Sequence, residues 1–210
     1  MRTFDPKELE TNVFHQILLG SVVPRPIALA STVDADGVVN LSPFSFFNCF
    51  SANPPILVFS PARSGRTGET KHTHDNVKEV AEVVINVVTY DMVQQMSLAS
   101  SPYPKGVDEF IKTGFTPLES ELVKPFRVKE SPVQLECTVE NVIELGQSGG
   151  AGNLIICKVV KIHIDENMMN EAGQIDQTKI DLVARMGGDW YCRANGDAIF
   201  ELQKPLTTCG

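Results

Sequence analysis

Between Asn40 and Pro55 the chain reads Asn-Leu-Ser-Pro-Phe-Ser-Phe-Phe-Asn-Cys-Phe-Ser-Ala-Asn-Pro-Pro, and Phe44, Phe46 and Phe47 interleave there with Ser42, Ser45 and Asn48. A half-buried strand alternates apolar and polar residues so that one face stays dry. Here aromatic and hydrogen-bonding groups fall on both faces. That mixture suits the wall of a site for a planar heteroaromatic ligand with one apolar end and one hydrogen-bonding end. A plainer reading stands beside it, in which the phenylalanines fill the core of a barrel strand and the serines serve turns.

Downstream, Pro61 to Lys78 holds four cations, Arg63, Arg66, Lys71 and Lys78, against Glu69 and Asp75, in a chain whose formal net charge is −8. His72 and His74 add donors, Ser64, Thr67, Thr70 and Thr73 add hydroxyls, and a helix start near Asp75-Asn76 adds free backbone N–H groups, the set that a phosphate requires. A solvated loop with idle charges is the alternative. Gly65-Arg-Thr-Gly68-Glu-Thr-Lys71 lacks the glycine that a nucleotide P-loop places directly before its lysine, and no Gly-x-Gly-x-x-Gly follows a strand. His72-Thr-His74 has no further cysteine or histidine near it in sequence, so no metal site is expected. Near the C-terminus Trp190 and Tyr191 follow Gly187-Gly188 between Arg185 and Arg193, a grouping able to stack on a flat ligand or to close a core.

These groups need a scaffold. With 210 residues, 42% apolar and 21% charged, the chain has the composition of one globular domain over 1–210, without the roughly 18 uninterrupted apolar residues of a membrane helix. The start carries no basic segment followed by an apolar one, so a cytoplasmic location is expected. Five cysteines, Cys49, Cys137, Cys157, Cys192 and Cys209, show no paired spacing and read as reduced thiols rather than a disulfide framework or zinc site. The acidic balance argues against nucleic acid and anionic lipid as partners.

Asp5-Pro6 begins a helical pattern that runs through Leu9, Val13, Phe14, Ile17 and Leu18 to Gly20. Ile27–Val33 and a run from Val38 form a hairpin about Asp34-Ala-Asp-Gly37, and Ile56–Ser60 is a short strand. Asn76–Val84 is helical and passes into a β-branched strand by Thr89; Asp91 is placed to cap a short helix; Ser97–Thr116 is irregular, with a helical turn at Asp108–Ile111. Val133–Glu140 and Leu154–Ile164 pair across the glycine-rich turn Gly146–Asn153, which needs no phosphate to explain it. Seven to nine strands joined by hairpins, with short helices, predict a mainly β protein built on an antiparallel barrel, its ligand at the rim or between subunits.

Taken in order, Pro24-Arg-Pro-Ile-Ala-Leu-Ala-Ser-Thr32, Asn40-Leu-Ser-Pro-Phe-Ser-Phe-Phe-Asn48, Asn53-Pro-Pro55, Lys71-His-Thr-His-Asp-Asn76, Asp108-Glu-Phe110 and Arg185-Met-Gly-Gly-Asp-Trp-Tyr191 resemble the flavin reductase-like proteins related to flavoredoxin. The likeness spans nearly the whole chain and rests on order and spacing. It implies an antiparallel split β-barrel of the FMN-binding type, a homodimer with flavin at the subunit interface. Carried over residue by residue, Ser45, Phe46, Phe47 and Asn48 would line the isoalloxazine and Ser60 would reach its pyrimidine edge. Lys71, Thr73, His74 and Asn76 would meet the phosphate or ribityl chain, and Trp190 would flank the ring, from the partner subunit in one arrangement.

In such a protein NAD(P)H is the expected electron donor, and the flavin carries the chemistry while the protein supplies geometry and electrostatics. No side-chain acid or base is obligatory, so no catalytic residue is assigned; Arg25, Arg185 and Arg193 are candidates to favour the reduced flavin by their charge. Two functional classes follow. One is an NAD(P)H-dependent flavin reductase that hands reduced flavin or electrons to a partner monooxygenase or another acceptor protein. The other is an electron-transfer flavoprotein that keeps its FMN and lacks reductase turnover. A barrel whose flavin site has decayed is the third possibility.

Overall fold

The computed structural model describes residues 1–205; Cys209 and the expectation attached to it lie outside them. The N-terminal segment divides where one helix is expected. Asp5 accepts from Lys7 N–H at 2.9 Å and starts only a 3-10 turn over Pro6–Glu8, and helix α1 then runs Thr11–Ser21. No residue of α1 is buried, so its apolar side chains lie on the surface of the protomer.

Strands β1 (Ala28–Val33) and β2 (Val39–Phe44) form the expected hairpin. Its turn is held by Asp34, whose Oδ1 accepts from Asp36 N–H and Val38 N–H, and by Gly37 at φ 83°, where a Cβ would be strained. The Phe/Ser stretch is not one strand. It breaks at Ser45-Phe46, and β3 (Phe47–Ala52) then pairs with β4 (Pro55–Phe59). Helix α2 (His72–Glu79) begins four residues before the expected Asn76, and β5 (Glu82–Val87) follows it. Helix α3 (Val93–Ala99) forms without a bond from the Asp91 side chain, whereas Asp108 caps α4 (Glu109–Thr113) through the N–H groups of Phe110 and Ile111. Two-residue strands β6 (Pro117–Leu118) and β7 (Arg127–Val128) lead to the twelve-residue strands β8 (Val133–Glu144) and β9 (Asn153–Ile164), and β10 (Leu182–Arg185) and β11 (Tyr191–Ala194) form a C-terminal hairpin.

Seven strands make one antiparallel sheet in the order β2-β1-β5-β8-β9-β4-β3. Its ends meet. Strands β2 and β4 stand first and sixth in that order, yet the ring centroids of Phe44 on β2 and Phe59 on β4 are 5.5 Å apart, and only Ser45 and Phe46 separate β2 from β3, the seventh strand. A sheet can bring such strands together only by rolling up, with a seam between β2 and the β3–β4 pair: a split barrel. Alternation along β1 divides the core. Ala28 and Ala30 join Phe59, Ile85, Cys137, Ile155 and Cys157 inside the barrel, while Ile27 and Leu29 join Met92, Met96 and Phe110 on the face covered by α3 and α4.

Burial within the barrel pushes the Cys137 thiol up to about 12 and raises that of Cys157, so both pack as small apolar groups. Glu136 is a fully buried carboxylate. Burial opposes its charge, but the N–H groups of Glu121 and Leu122 and the His163 ring outweigh that opposition and hold it below the usual range. No helix among the described residues is long and apolar enough to cross a membrane.

Candidate functional site

The seam of the barrel opens into a cleft of about 360 Å³, a size typical of small-molecule sites. Its near wall is the break between β2 and β3. Ser42, Pro43 and Phe44 end one strand, and Ser45 and Phe46 turn out of the sheet before β3 begins, which is why aromatic and hydroxyl groups share one surface. Ser60 and Ala62 extend the wall from the end of β4, and Lys71, the residue before α2, stands at its edge.

Other elements close the far side. His15 and Leu19 project from successive turns of α1, Met96 and Ser100 from the end of α3, and Arg185 and Tyr191 from the C-terminal hairpin. Arg25 ties three of these parts together. Only 6% exposed, it donates Nη1 to the carbonyls of Leu19 and Val22 (2.8 and 2.7 Å), Nη2 to Met186 O (3.0 Å) and Nε to Ser45 Oγ (3.3 Å). Its Cζ lies 5.9 Å from the Phe46 ring centroid. Burial, and then the charge of Arg185, lower its affinity for a proton from an arginine's usual value, but it remains a cation.

The four cations of the 61–78 segment separate into two kinds. Arg63 reaches Glu144, Gln147 and the carbonyls of Gly68 and Gly146; Lys78 pairs with Glu144 at 3.1 Å. Hydrogen bonds from Gln147 and Lys78, with Arg63 adding to them, hold the Glu144 carboxyl down at about 2. Lys71 and Arg66 make no ion pair among the described residues, and both line clefts. The positive charge left for a ligand is therefore theirs.

Of the ten residues singled out in the sequence, Ser45, Phe46, Ser60 and Lys71 come together in this cleft, and Thr73 lines a second one adjoining it. The other five lie elsewhere in the protomer. Phe47 packs against the barrel interior, and Asn48 is exposed on β3, where its Oδ1 accepts from Cys49 N–H. His74 and Asn76 are buried beneath α2. Asn76 donates to Thr32 Oγ1, and His74 Nδ1 faces Asp75 at 3.0 Å while its Nε2 sits 3.4 Å from Glu144 without hydrogen-bond geometry. Asn76 thereby ties α2 to β1, and the His74 ring packs beneath α2 beside Glu144 of β8. Trp190 is 78% exposed. Met96 and Ser100 also line the cleft, and their only sequence signal is a four-residue spacing along α3 and its C-cap.

The glycine-rich turn has a packing role that its composition alone does not show. A Cβ on Gly152 would stand 2.8 Å from Ser60 Oγ, and one on Gly149 2.8 Å from Ser64 O. The β8–β9 tip thus lies directly against the Ser60–Ser64 segment, and only residues without side chains allow that approach.

A cleft with an aromatic wall, several hydroxyls, two buried or half-buried arginines and, among the described residues, a lysine without an ion pair at one end has the lining that a planar, anionic ligand requires. Residues 19–179 match the family described as "Flavin reductase like domain". A protein of Aquifex aeolicus is 33% identical over 195 residues, covering 92% of this chain and 96% of its own, and one of Halalkalibacterium halodurans is 35% identical over 203 residues, covering 96% and 95%. Nitrilotriacetate monooxygenase component B from Bacillus cereus superposes with a TM-score of 0.89 at 32% identity, covering 96% of this chain and 98% of its own. Flavoredoxin of Desulfovibrio vulgaris shares the fold, with a TM-score of 0.72 at 20% identity over 90% and 93% of the two chains. The match over most of its length and the relatives above 30% identity place the chain in the flavin reductase-like family.

Proposed function

We propose that the chain, acting as one unit over 1–210, binds FMN in the seam cleft and carries hydride from NAD(P)H to flavin, delivering reduced flavin or its electrons to an acceptor such as a partner monooxygenase. The observation that carries this reading is the convergence of Ser42, Ser45, Phe46 and Ser60 with Lys71 in one cleft. The similarity to a monooxygenase component B supports the delivery role.

In this reading a bound flavin would supply the redox chemistry, as the acceptor of the nicotinamide's hydride, which leaves the reduced flavin as an anion. The chain's residues bind and orient. Phe44, Phe46 and Met96 offer apolar surface to the ring, Ser45 and Ser60 offer hydroxyls to its polar edge, and Lys71 meets the phosphate. Arg25 and Arg185 place positive charge beside the ring and so favour its reduced, anionic form. Thr73 faces the ribityl–phosphate end from the second cleft, while His74 and Asn76 position α2. A second copy completes the site, bringing Asn48 and the exposed Trp190 of one protomer to its partner's ring while Phe47 supports β3 from inside the barrel, in a reducing cytoplasm.

Absorption bands of oxidised flavin in the purified protein, and NADH or NADPH oxidation that rises in proportion to added FMN, are the expected results. Retained flavin without such turnover would favour an electron-transfer flavoprotein. A colourless protein that neither retains FMN nor quenches its fluorescence would refute both.

A further inference from the structure

The seam cleft carries charge of one sign. Arg25, Lys71 and Arg185 line it, and no carboxylate among the described residues does. Burial first, and then the charge of Arg185, loosens the hold of Arg25 on its proton, so the field of one arginine reaches the other. In a chain of formal net charge −8, this lining selects anions. One more lining residue bears on that charge, His15 of α1.

Helix α1 holds His15 in place from both ends. Its first turn lies by the β8–β9 tip, where a Cβ on Gly150 would stand 3.5 Å from Thr11 Cγ2, and its last turn lies by the C-terminal hairpin, where one on Gly187 would stand 3.0 Å from Gly20 Cα. Arg25 adds its bonds to the carbonyls of Leu19 and Val22. Between these ends the His15 ring meets Phe46 edge-on, with centroids 6.3 Å apart and an interplanar angle of 74°. The charged and titratable groups that share the cleft with it are Arg25 before β1, Lys71 before α2, and Arg185 and Tyr191 of the C-terminal hairpin; Asp189 is paired with Arg185 at 3.4 Å. The rest of α1, α3 and the turn 146–153 bring no charged residue.

FMN as placed above brings its phosphate charge to the Lys71 end, and hydride transfer then adds a negative charge to the ring, at the wall that His15 and Phe46 share. Arginine and lysine are already charged and cannot respond to that change. An imidazole can, because it changes charge between about pH 5 and 8, and an anion within about 4–6 Å favours its protonated form. Linkage is reciprocal: what the anion does for the proton, the proton does for the anion.

We propose that His15 is a proton-linked residue of the flavin site, taking up a proton from solvent when the cleft holds the reduced, anionic flavin. The reduced form is then bound more tightly as the pH falls through the range in which a histidine titrates, and is released more readily above it. This inference rests on the flavin reading of the cleft.

Anaerobic calorimetric titration of the full-length chain, stripped of flavin, with oxidised FMN and with dithionite-reduced FMN tests it, in buffers of differing ionisation enthalpy so that protons taken up are counted. Wild type is compared with His15→Gln, which stays neutral, and His15→Lys, which stays charged; titration of the flavin itself is common to all three and cancels in the differences. Near neutral pH the wild type is expected to take up more protons with reduced FMN than either variant does, by up to about one, and to show a smaller excess with oxidised FMN. Its advantage over His15→Gln in affinity for reduced FMN should grow roughly three-fold or more from about pH 8 to about pH 6, while His15→Lys should match the wild type at the lower pH. Equal proton uptake in wild type and His15→Gln would overturn the proposal with the flavin site intact. So would a loss of affinity in His15→Gln that is the same at every pH, which would assign His15 a packing role, or an excess uptake equal for both forms of FMN. Failure of the wild type to bind either form would instead remove the flavin reading itself.

Discussion

Arg25 is the residue on which the cleft's shape most depends, because its five donors are divided among α1, the C-terminal hairpin and Ser45. A lysine offers a single ammonium and cannot span those acceptors. Arg25→Ala would leave the carbonyls of Leu19, Val22 and Met186 without their donor, at a cost of about 2–3 kcal/mol. A urea midpoint lowered to match, with Arg25→Lys recovering less than half of the loss, is the expected outcome. Lys71 should behave differently. It is exposed and without an ion pair among the described residues, so Lys71→Ala should leave the melting temperature within about a degree of wild type. FMN affinity should fall roughly ten-fold, and added salt should narrow that gap. Gly152 gives a third test. An alanine there must displace Ser60 Oγ, so Gly152→Ala is expected to weaken FMN several-fold; in Ser60→Ala/Gly152→Ala the two effects should be non-additive, since the clash has lost its partner.

The elements around the cleft were unevenly legible in the sequence. Hairpins declared themselves: Asp34–Gly37 and Gly146–Asn153 are turn chemistry between β-branched runs, and both hairpins form. The start of α2 did not. His72-Thr-His74 looks like ligand chemistry, but Thr73 and His74 enter the helix and are buried, because tertiary contacts with β1 and Glu144 set the helix start rather than propensity. That shift also explains why His74 and Asn76 do not meet the protomer's cleft; nor does a cationic sequence reveal which of its cations a distant carboxylate will claim. Glu144 claims Arg63 and Lys78, and so binds the 61–71 segment and α2 to the β8–β9 hairpin. Its carboxyl is held at about 2 against an ordinary 4.5. A depressed folded-state value means that the contribution is complete above about pH 4.5 and disappears as the pH falls through about 2. The melting temperature of Glu144→Gln should therefore lie below that of wild type at neutral pH, and the two should converge between those limits. A gap independent of pH would show that the carboxylate's charge is not what ties the elements together.

At the scale of the whole molecule, one stretch of exposed apolar surface adjoins the cleft. Strand β3 is an edge strand of the sheet, exposed from Asn48 to Ala52, with Phe50 at 68%; Trp190 is at 78%, and α1 has no fully buried residue. Edge strands with open backbone groups are ordinarily blunted by charge, proline or cover, and β3 carries no charged residue. A second copy of the chain would cover this surface and, because a two-fold axis makes each contact twice, would shield both seam clefts at once. Equilibrium sedimentation at micromolar concentration should accordingly give twice the 23.0 kDa chain mass. Phe50→Asp places a charge in the middle of β3, facing away from the barrel interior, so it should leave the protomer's fold intact by circular dichroism and shift the protein toward one chain mass. If the site is completed by the partner, that variant should also lose FMN affinity although Phe50 is absent from the lining of the protomer's cleft. A monomeric variant that still binds FMN as the wild type does would show that the seam of a single barrel is sufficient for the flavin and that Trp190 has no part in holding it.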